Sequence, residues 1–289
     1  MRLDGRREST NVDDRRSHRG IKVGGGLGLG GMIIVGIITL LMGGDPAEVI
    51  QMAGNSGIAG VSESSGSYTP TAEEEALAKF ARQILAGTED VWTEIFRSNG
   101  LTYVPPKLVL FKDYVQVGGS TASASSGPFY YSGDRSVYLD LSFFSSMKKE
   151  IGADGDFAYA YVIAHEVGHH VQNLLGTLDE AHAEMRRVSE KESNRISVRL
   201  ELQADFYAGV WAHHDNKMFG SLESGDVEEG LAVASKIGDD YLQKKAYGRT
   251  VPDSFNHGTS QQRARWLKKG IATGNPGDGD TFSISYDQL

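Results

Sequence analysis

Apolar positions recur at helical spacing through much of the chain and alternate at strand-like spacing in a short central stretch. Leu77, Phe80, Ala81, Ile84 and Leu85 follow Glu73, Glu74 and Glu75, acids that suit the positive end of a helix dipole. This predicts a helix over 71–96, with Gly87-Thr88 as a break before a short second helix through Trp92 and Phe96. Lys107–Phe111 reads as extended and 118–127 as a Gly/Ser/Ala/Thr loop. Pro128–Tyr131 and Val137–Leu141 read as strands joined by the turn Ser132-Gly-Asp-Arg135. Beyond them helices are predicted over 156–175, 178–194, 197–214, 226–247 and 260–269, with Gly176 ending the first of these. A small sheet followed by several helices is an α+β pattern.

The N-terminal quarter has a different pattern. From Val23 to Gly44 there is no charge, and Met32–Met42 is strongly apolar. Such a run is long enough to cross a bilayer as one helix, with a cleaved signal peptide and a glycine-rich soluble linker as the competing readings. Seven basic residues and four acids precede it, so 1–22 carries +3 and the remainder −12 of the net −9. By the positive-inside tendency, the expectation is a basic cytoplasmic N-terminus over 1–22, a transmembrane helix over 23–44, a Gly/Ser-rich tether over 45–70 and an outward-facing domain over 71–289. In a bacterium that domain would face the periplasm or the exterior, with the membrane as a partner through the N-terminal helix.

At 289 residues the chain has room for one large or two modest domains. The acidic balance argues against nucleic acid as a partner. The absence of cysteine excludes disulfides and thiolate metal sites, so zinc would have to be held by histidine and carboxylate.

The candidate chemistry is concentrated in His165-Glu166-Val167-Gly168-His169. On a helix the two histidines share one face and bind one zinc ion, and Glu166 acts as general base on zinc-bound water. A catalytic zinc takes a third protein ligand. Glu201-Leu-Gln-Ala-Asp205 supplies one: Glu201 as ligand, and Asp205, four residues on, as acceptor for the spare ring N–H of a ligand histidine. Gly168 inside a helix implies close packing against another backbone. His170 lies one step round the helix and is expected to bind a neighbour or pack. His257, in a loop beside glycine, is a candidate oxyanion donor; Tyr130, Tyr131 and Tyr138 are alternatives.

These blocks together resemble the bacterial neutral zinc metallopeptidases, membrane-anchored proteins of the thermolysin-like type that combines HExxH with a glutamate. The resemblance rests on Met1–Ser9, Asn11–Arg15, Gly127–Tyr130, Val137–Phe144, Ala164–His170, Arg199–Asp205, His257–Ser260, Arg263 and Asp280–Phe282. It implies a zincin-like metallopeptidase domain: a small sheet with an edge strand above the HExxH helix and a mostly helical remainder, behind one transmembrane helix. It also implies His165, His169 and Glu201 as zinc ligands and Glu166 as base. By analogy Val137–Leu141 would be the edge strand, with Tyr138, Leu139 and Asp140 pairing with an extended protein or peptide substrate. Many members carry cysteines near the Gly-Pro-Phe-Tyr block and in the ligand helix; here Tyr131 and Phe206 stand in their place. The expected activity is that of a zinc endopeptidase. A non-catalytic zinc scaffold and a zinc amidase acting on cell-wall peptides are the competing readings.

Overall fold

The computed structural model describes residues 1–17 and 68–289. A four-stranded sheet, in the order β1-β2-β6-β5, is built from β1 (Val12–Asp14), β2 (Lys107–Phe111), β5 (Phe129–Tyr131) and β6 (Ser136–Asp140). β1 and β2 run parallel, as do β2 and β6, while β5 is antiparallel to β6 with Tyr130 opposite Val137. A separate hairpin of β3 (Tyr114–Val117) and β4 (Ser120–Ser123) turns at Gly118-Gly119, both at positive φ. Sequence reading took most of this hairpin for a loop, because serine, alanine and glycine give β4 no apolar alternation.

Both faces of the sheet are covered. Leu108, Leu110, Val137 and Leu139 pack with the helices, while Val109, Phe111 and Tyr138 pack with Val115, Val117 and Ala122 of the hairpin. The helices are α1 (Ala72–Ser98), α2 (Ser142–Ile151), α3 (Asp156–Leu174), α4 (Thr177–Met185), α5 (Glu190–Phe219), α6 (Asp226–Lys236), α7 (Asp239–Tyr247) and α8 (Ser260–Thr273). The break expected at Gly87 does not occur. α1 runs straight through it, and the glycine makes room for a close approach: a β-carbon there would lie 2.7 Å from Asp215 Oδ1 and 2.8 Å from Arg6 Nη2. The helix expected over 226–247 is instead divided at Gly238, whose absent β-carbon leaves room for the Ser260 backbone nitrogen.

The N-terminal arm overturns the expected topology. β1 is part of the sheet, Arg6 reaches Asp215 on α5 at 2.7 Å, Arg7 pairs with Glu89 and Asp90 on α1, and Ser9 Oγ donates to Glu89. Arginines that read as a cytoplasmic charge signal are counter-ions to acids of the main domain. Residues 1–16 and 71–289 therefore belong to one packed unit, whereas a single membrane crossing between them would place them on opposite sides of a bilayer. Among the described residues no helix is long and apolar enough to span a membrane. The expected span 23–44 lies outside the described residues, as does most of the tether. The single-pass anchor is accordingly withdrawn from the fold, and with it the periplasmic or extracellular placement that rested on it. The small sheet and helical remainder of the expected α+β class stand.

The strand assignment also changes. Val137–Leu141 is not an edge: β6 is flanked by β2 and β5 and buried along its whole length. Among the described residues the edge strand beside the motif helix is β5.

Candidate metal centre

α3 is apolar around most of its circumference, and so is buried almost throughout. Its polar interior positions, His165, Glu166, His169, His170 and Gln172, each require a partner once removed from water. α3 ends as the sequence indicates, with Gly176 in the left-handed region at φ 82°. α5 starts behind Ser189, whose hydroxyl accepts from Glu192 N, and packs across α3. The closest approach is at Gly168, where a β-carbon would stand 2.8 Å from the Ala204 carbonyl oxygen and 3.0 Å from Ala204 Cα. This backbone-to-backbone contact brings the turn carrying Glu201 over the two motif histidines.

His165 Nε2 lies 3.2 Å from Glu201 Oε2, and His169 Nε2 lies 3.3 Å from Glu201 Oε1. One ligand atom from each of the three residues falls within 4.8 Å of the others. Both Nδ1 atoms are engaged elsewhere. His165 Nδ1–H donates to Asp205 Oδ1 at 2.8 Å, and His169 Nδ1–H donates to Gln172 Oε1 at 2.9 Å. Each imidazole thus turns its Nε2 toward the same carboxylate, and two nitrogens with one carboxylate form the donor set of a catalytic zinc. The residues present fit that ion.

Asp205 is fully buried and firmly held. Arg263 Nε and Nη2 donate to its two oxygens at 2.8 and 2.9 Å, and Tyr161 Oη donates to Oδ1 at 2.6 Å. Burial opposes its ionisation, but Arg263 and His165 outweigh burial and pull its carboxyl down to about 2. Burial likewise opposes charge on His165, yet Asp205 and Glu201 push its pKa up to about 10. His169 is raised against burial chiefly by Glu201. Burial, helped by the Glu201 charge and opposed by His165 and His169, raises the Glu166 carboxyl above its ordinary range. Glu201 is driven well below the usual carboxylate range despite burial, with His257 the strongest charge acting on it, ahead of His169. The pocket is built to hold positive charge.

His257 acts on Glu201 through its charge. Its loop is tied to the first residue of α7: the His257 and Gly258 amides donate to Asp239 Oδ2 at 2.8 and 3.0 Å, and Asp239 N donates to the Gly258 carbonyl. His257 Nδ1 lies 2.7 Å from Asn256 Oδ1. Ser260 is the first residue of α8. Thr259 caps α8 in a reciprocal pair with Gln262.

The structure thus brings His165, His169, Glu201 and Asp205 together, with Glu166 between the two histidines on α3, while His257 makes its hydrogen bonds with Asn256 and Asp239. It does not offer Tyr138, Leu139 and Asp140 to a substrate. They are 1%, 0% and 4% exposed. Tyr138 stacks on Phe129 with its hydroxyl on Asp134, and the Asp140 carboxylate accepts from the backbone of Asp113 and Ser142. The Tyr130 hydroxyl is taken too. His170 Nε2–H donates to the Val104 carbonyl at 2.7 Å, so its Nδ1 accepts from Tyr130, which itself accepts from Asn173.

Sequence reading missed Tyr161, Gln172 and Gln203, and met Arg263 only through the resemblance. Tyr161 and Gln172 stand four residues before His165 and three after His169, the same helix faces as the ligands, and Arg263 falls three and four residues before buried Trp266 and Leu267, on the inner face of its helix.

A sequence-family model described as "Putative neutral zinc metallopeptidase" matches residues 1–282, and so includes the N-terminal arm. The chain is 46% identical over 292 aligned positions to the uncharacterized protein YpfJ of Escherichia coli K12, covering 99% of this chain and 100% of that one. It is 39% identical over 193 positions to the uncharacterized proteins Mb2605 of Mycobacterium bovis and Rv2575 of Mycobacterium tuberculosis, covering 63% of this chain and 64% of each. No solved structure matches.

Proposed function

The chain belongs to the neutral zinc metallopeptidase family, and from that premise we propose that it is a zinc-dependent endopeptidase whose metal ligands are His165, His169 and Glu201. The observation that carries the reading is the convergence of both imidazole Nε2 atoms on one carboxylate while both Nδ1 atoms are engaged behind them. When bound there, zinc supplies Lewis acidity, which polarises a peptide carbonyl and acidifies water.

The chain's own groups complete the chemistry. Glu166 lies between the ligands on α3, buried, with its carboxyl raised toward the range of a working base. It takes the proton of the attacking water and delivers it to the departing amine nitrogen. Asp205 fixes His165 in the Nδ1–H form, and Arg263 keeps Asp205 ionised. The His257 imidazole, backed by Asn256, donates to the oxygen of the attacked carbonyl. The role first given to Val137–Leu141 passes to β5, whose outer side has no strand partner among the described residues and whose Tyr130 touches α3 through His170 and Asn173. An extended peptide pairing with Phe129–Tyr131 would run along the motif helix without needing a terminus, which supports an endopeptidase.

Glu166→Gln tests this. Bound zinc should be retained, and cleavage of an unfolded protein should fall about 10²–10⁴-fold, the loss expected of a general base. Unchanged cleavage would remove Glu166 from the mechanism. Glu201→Ala should lower bound zinc, and undiminished zinc would remove it from the ligand set.

A further inference from the structure

Beside His169 two buried glutamine side chains face each other. Gln172 is 0% and Gln203 6% exposed. Gln172 Oε1 accepts from His169 Nδ1–H at 2.9 Å. Its Nε2 donates twice, to the Leu200 carbonyl at 2.8 Å and to Gln203 Oε1 at 3.0 Å. Gln203 Nε2 in turn donates to the Gly279 carbonyl at 2.9 Å.

A primary amide presents an acceptor at one side and donors at the other, so the two ends of this chain of bonds set its direction. The Gly279 and Leu200 carbonyls can only accept. Gln203 must therefore turn its NH₂ to Gly279 and its oxygen to Gln172. Gln172 must turn its NH₂ to Gln203 and Leu200, which leaves its oxygen for His169. Reversing either amide would set oxygen against oxygen.

The anchor at the far end is itself firmly placed. A β-carbon on Gly279 would lie 2.5 Å from the Phe206 ring, so the segment lies flat on α5. Thr281 Oγ1 donates to the Arg199 carbonyl at 2.7 Å, and Arg199 Nη1 donates back to the carbonyls of Thr281 and Ile284. The C-terminal segment is thus stitched to the same turns of α5 that carry Glu201.

We infer that Gln172 and Gln203 are positioning residues: a buried amide relay, anchored on the Leu200 and Gly279 carbonyls, that fixes His169 in the Nδ1–H tautomer and leaves its Nε2 lone pair for the metal. The inference rests on the zinc-centre reading above. It assigns the two ligand histidines different supports, an ionised carboxylate behind His165 and a neutral amide behind His169. It also gives the C-terminal segment a part in metal binding, although that segment contributes no ligand.

The test uses the full chain and zinc alone as probe, with the dissociation constant read by competition against a chromophoric chelator. Gln172→Met, close in length, should bind zinc about 10–100-fold more weakly, the usual loss when the partner behind a ligand is removed. Gln203→Met should show a smaller loss in the same direction. In ¹⁵N-histidine-labelled, zinc-loaded wild-type protein, the His169 ring should show a protonated Nδ1 and a coordinated Nε2. A folded Gln172→Met protein with unchanged zinc affinity overturns the relay. If that variant does not fold, the wild-type spectrum decides, and a protonated Nε2 on His169 overturns it. His169→Ala separates the two readings. If His169→Ala binds zinc as tightly as wild type, the metal-centre reading has failed and the relay with it. If His169→Ala weakens binding and Gln172→Met does not, only the relay has failed.

Discussion

His169 and His170 are consecutive residues on one helix, both withdrawn from solvent, and their surroundings drive them in opposite directions. His169 faces Glu201, which raises its affinity for a proton against the effect of burial. His170 faces Tyr130, Asn173 and the Val104 carbonyl, and burial lowers its pKa to about 4, with only the carbonyl opposing. Burial by itself makes an imidazole neutral and turns it into a structural hydrogen-bonding block. It takes facing carboxylates, Glu201 kept ionised by the neighbouring histidines and Asp205 by the fixed Arg263 cation, to make the motif imidazoles part of a site for positive charge. The two pockets differ in charge, and that difference separates the candidate centre from its scaffold.

The strongest way to break the contrast is to remove the fixed cation. Arg263→Leu leaves Asp205 buried with its carboxylate partly unpaired, which should cost about 3–5 kcal/mol and lower the melting midpoint of the metal-free protein accordingly. An unchanged midpoint would mean that Arg263 is not what keeps Asp205 charged. The next largest effect lies in the other pocket. Because the folded-state pKa of His170 is about 4 against an ordinary 6.5, the unfolded chain holds the extra proton between those values. Stability therefore falls as pH drops from about 6.5 to about 4 and this contribution is flat below, with a ceiling of about 3 kcal/mol at 1.36 kcal/mol per unit. His170→Phe should flatten that part of the melting-against-pH curve relative to wild type; identical slopes would show that His170 is not held neutral. The smallest effect sharpens the boundary between the pockets. Tyr130→Phe removes the donor to His170 and should cost about 1 kcal/mol while leaving zinc affinity unchanged. A loss of zinc affinity would show that the two pockets are coupled through α3.

The residues on the candidate centre were legible in sequence to the extent that their signal was local. His165, Glu166 and His169 share a turn of one helix, and Glu201 and Asp205 share a turn of another, so helical spacing groups each set without the fold. What joins the sets is Gly168 against Ala204, a contact between backbones for which the sequence offers only a glycine in an otherwise helical run. Gln172 and Gln203 were not legible, since a glutamine on a helix is ordinary until its partners are seen to be two carbonyls and a ligand histidine. The N-terminal error had a similar source. A run of arginines before an uncharged stretch has the same composition whether the charges face lipid headgroups or the carboxylates of Asp215, Glu89 and Asp90, and only pairing across the fold distinguishes them. The β5–β6 hairpin was visible in its alternation, but which strand forms an edge depends on β2, brought alongside by a crossover that local pattern does not encode.

The contact at Gly168 ties the two halves of the centre to a residue that offers no ligand. Because α3 and α5 touch backbone to backbone there, a single methyl at 168 would force Ala204 and its turn outward, and Glu201 sits one turn before Ala204. Gly168→Ala should therefore weaken zinc binding without altering any ligand, as competition against a chelator would record.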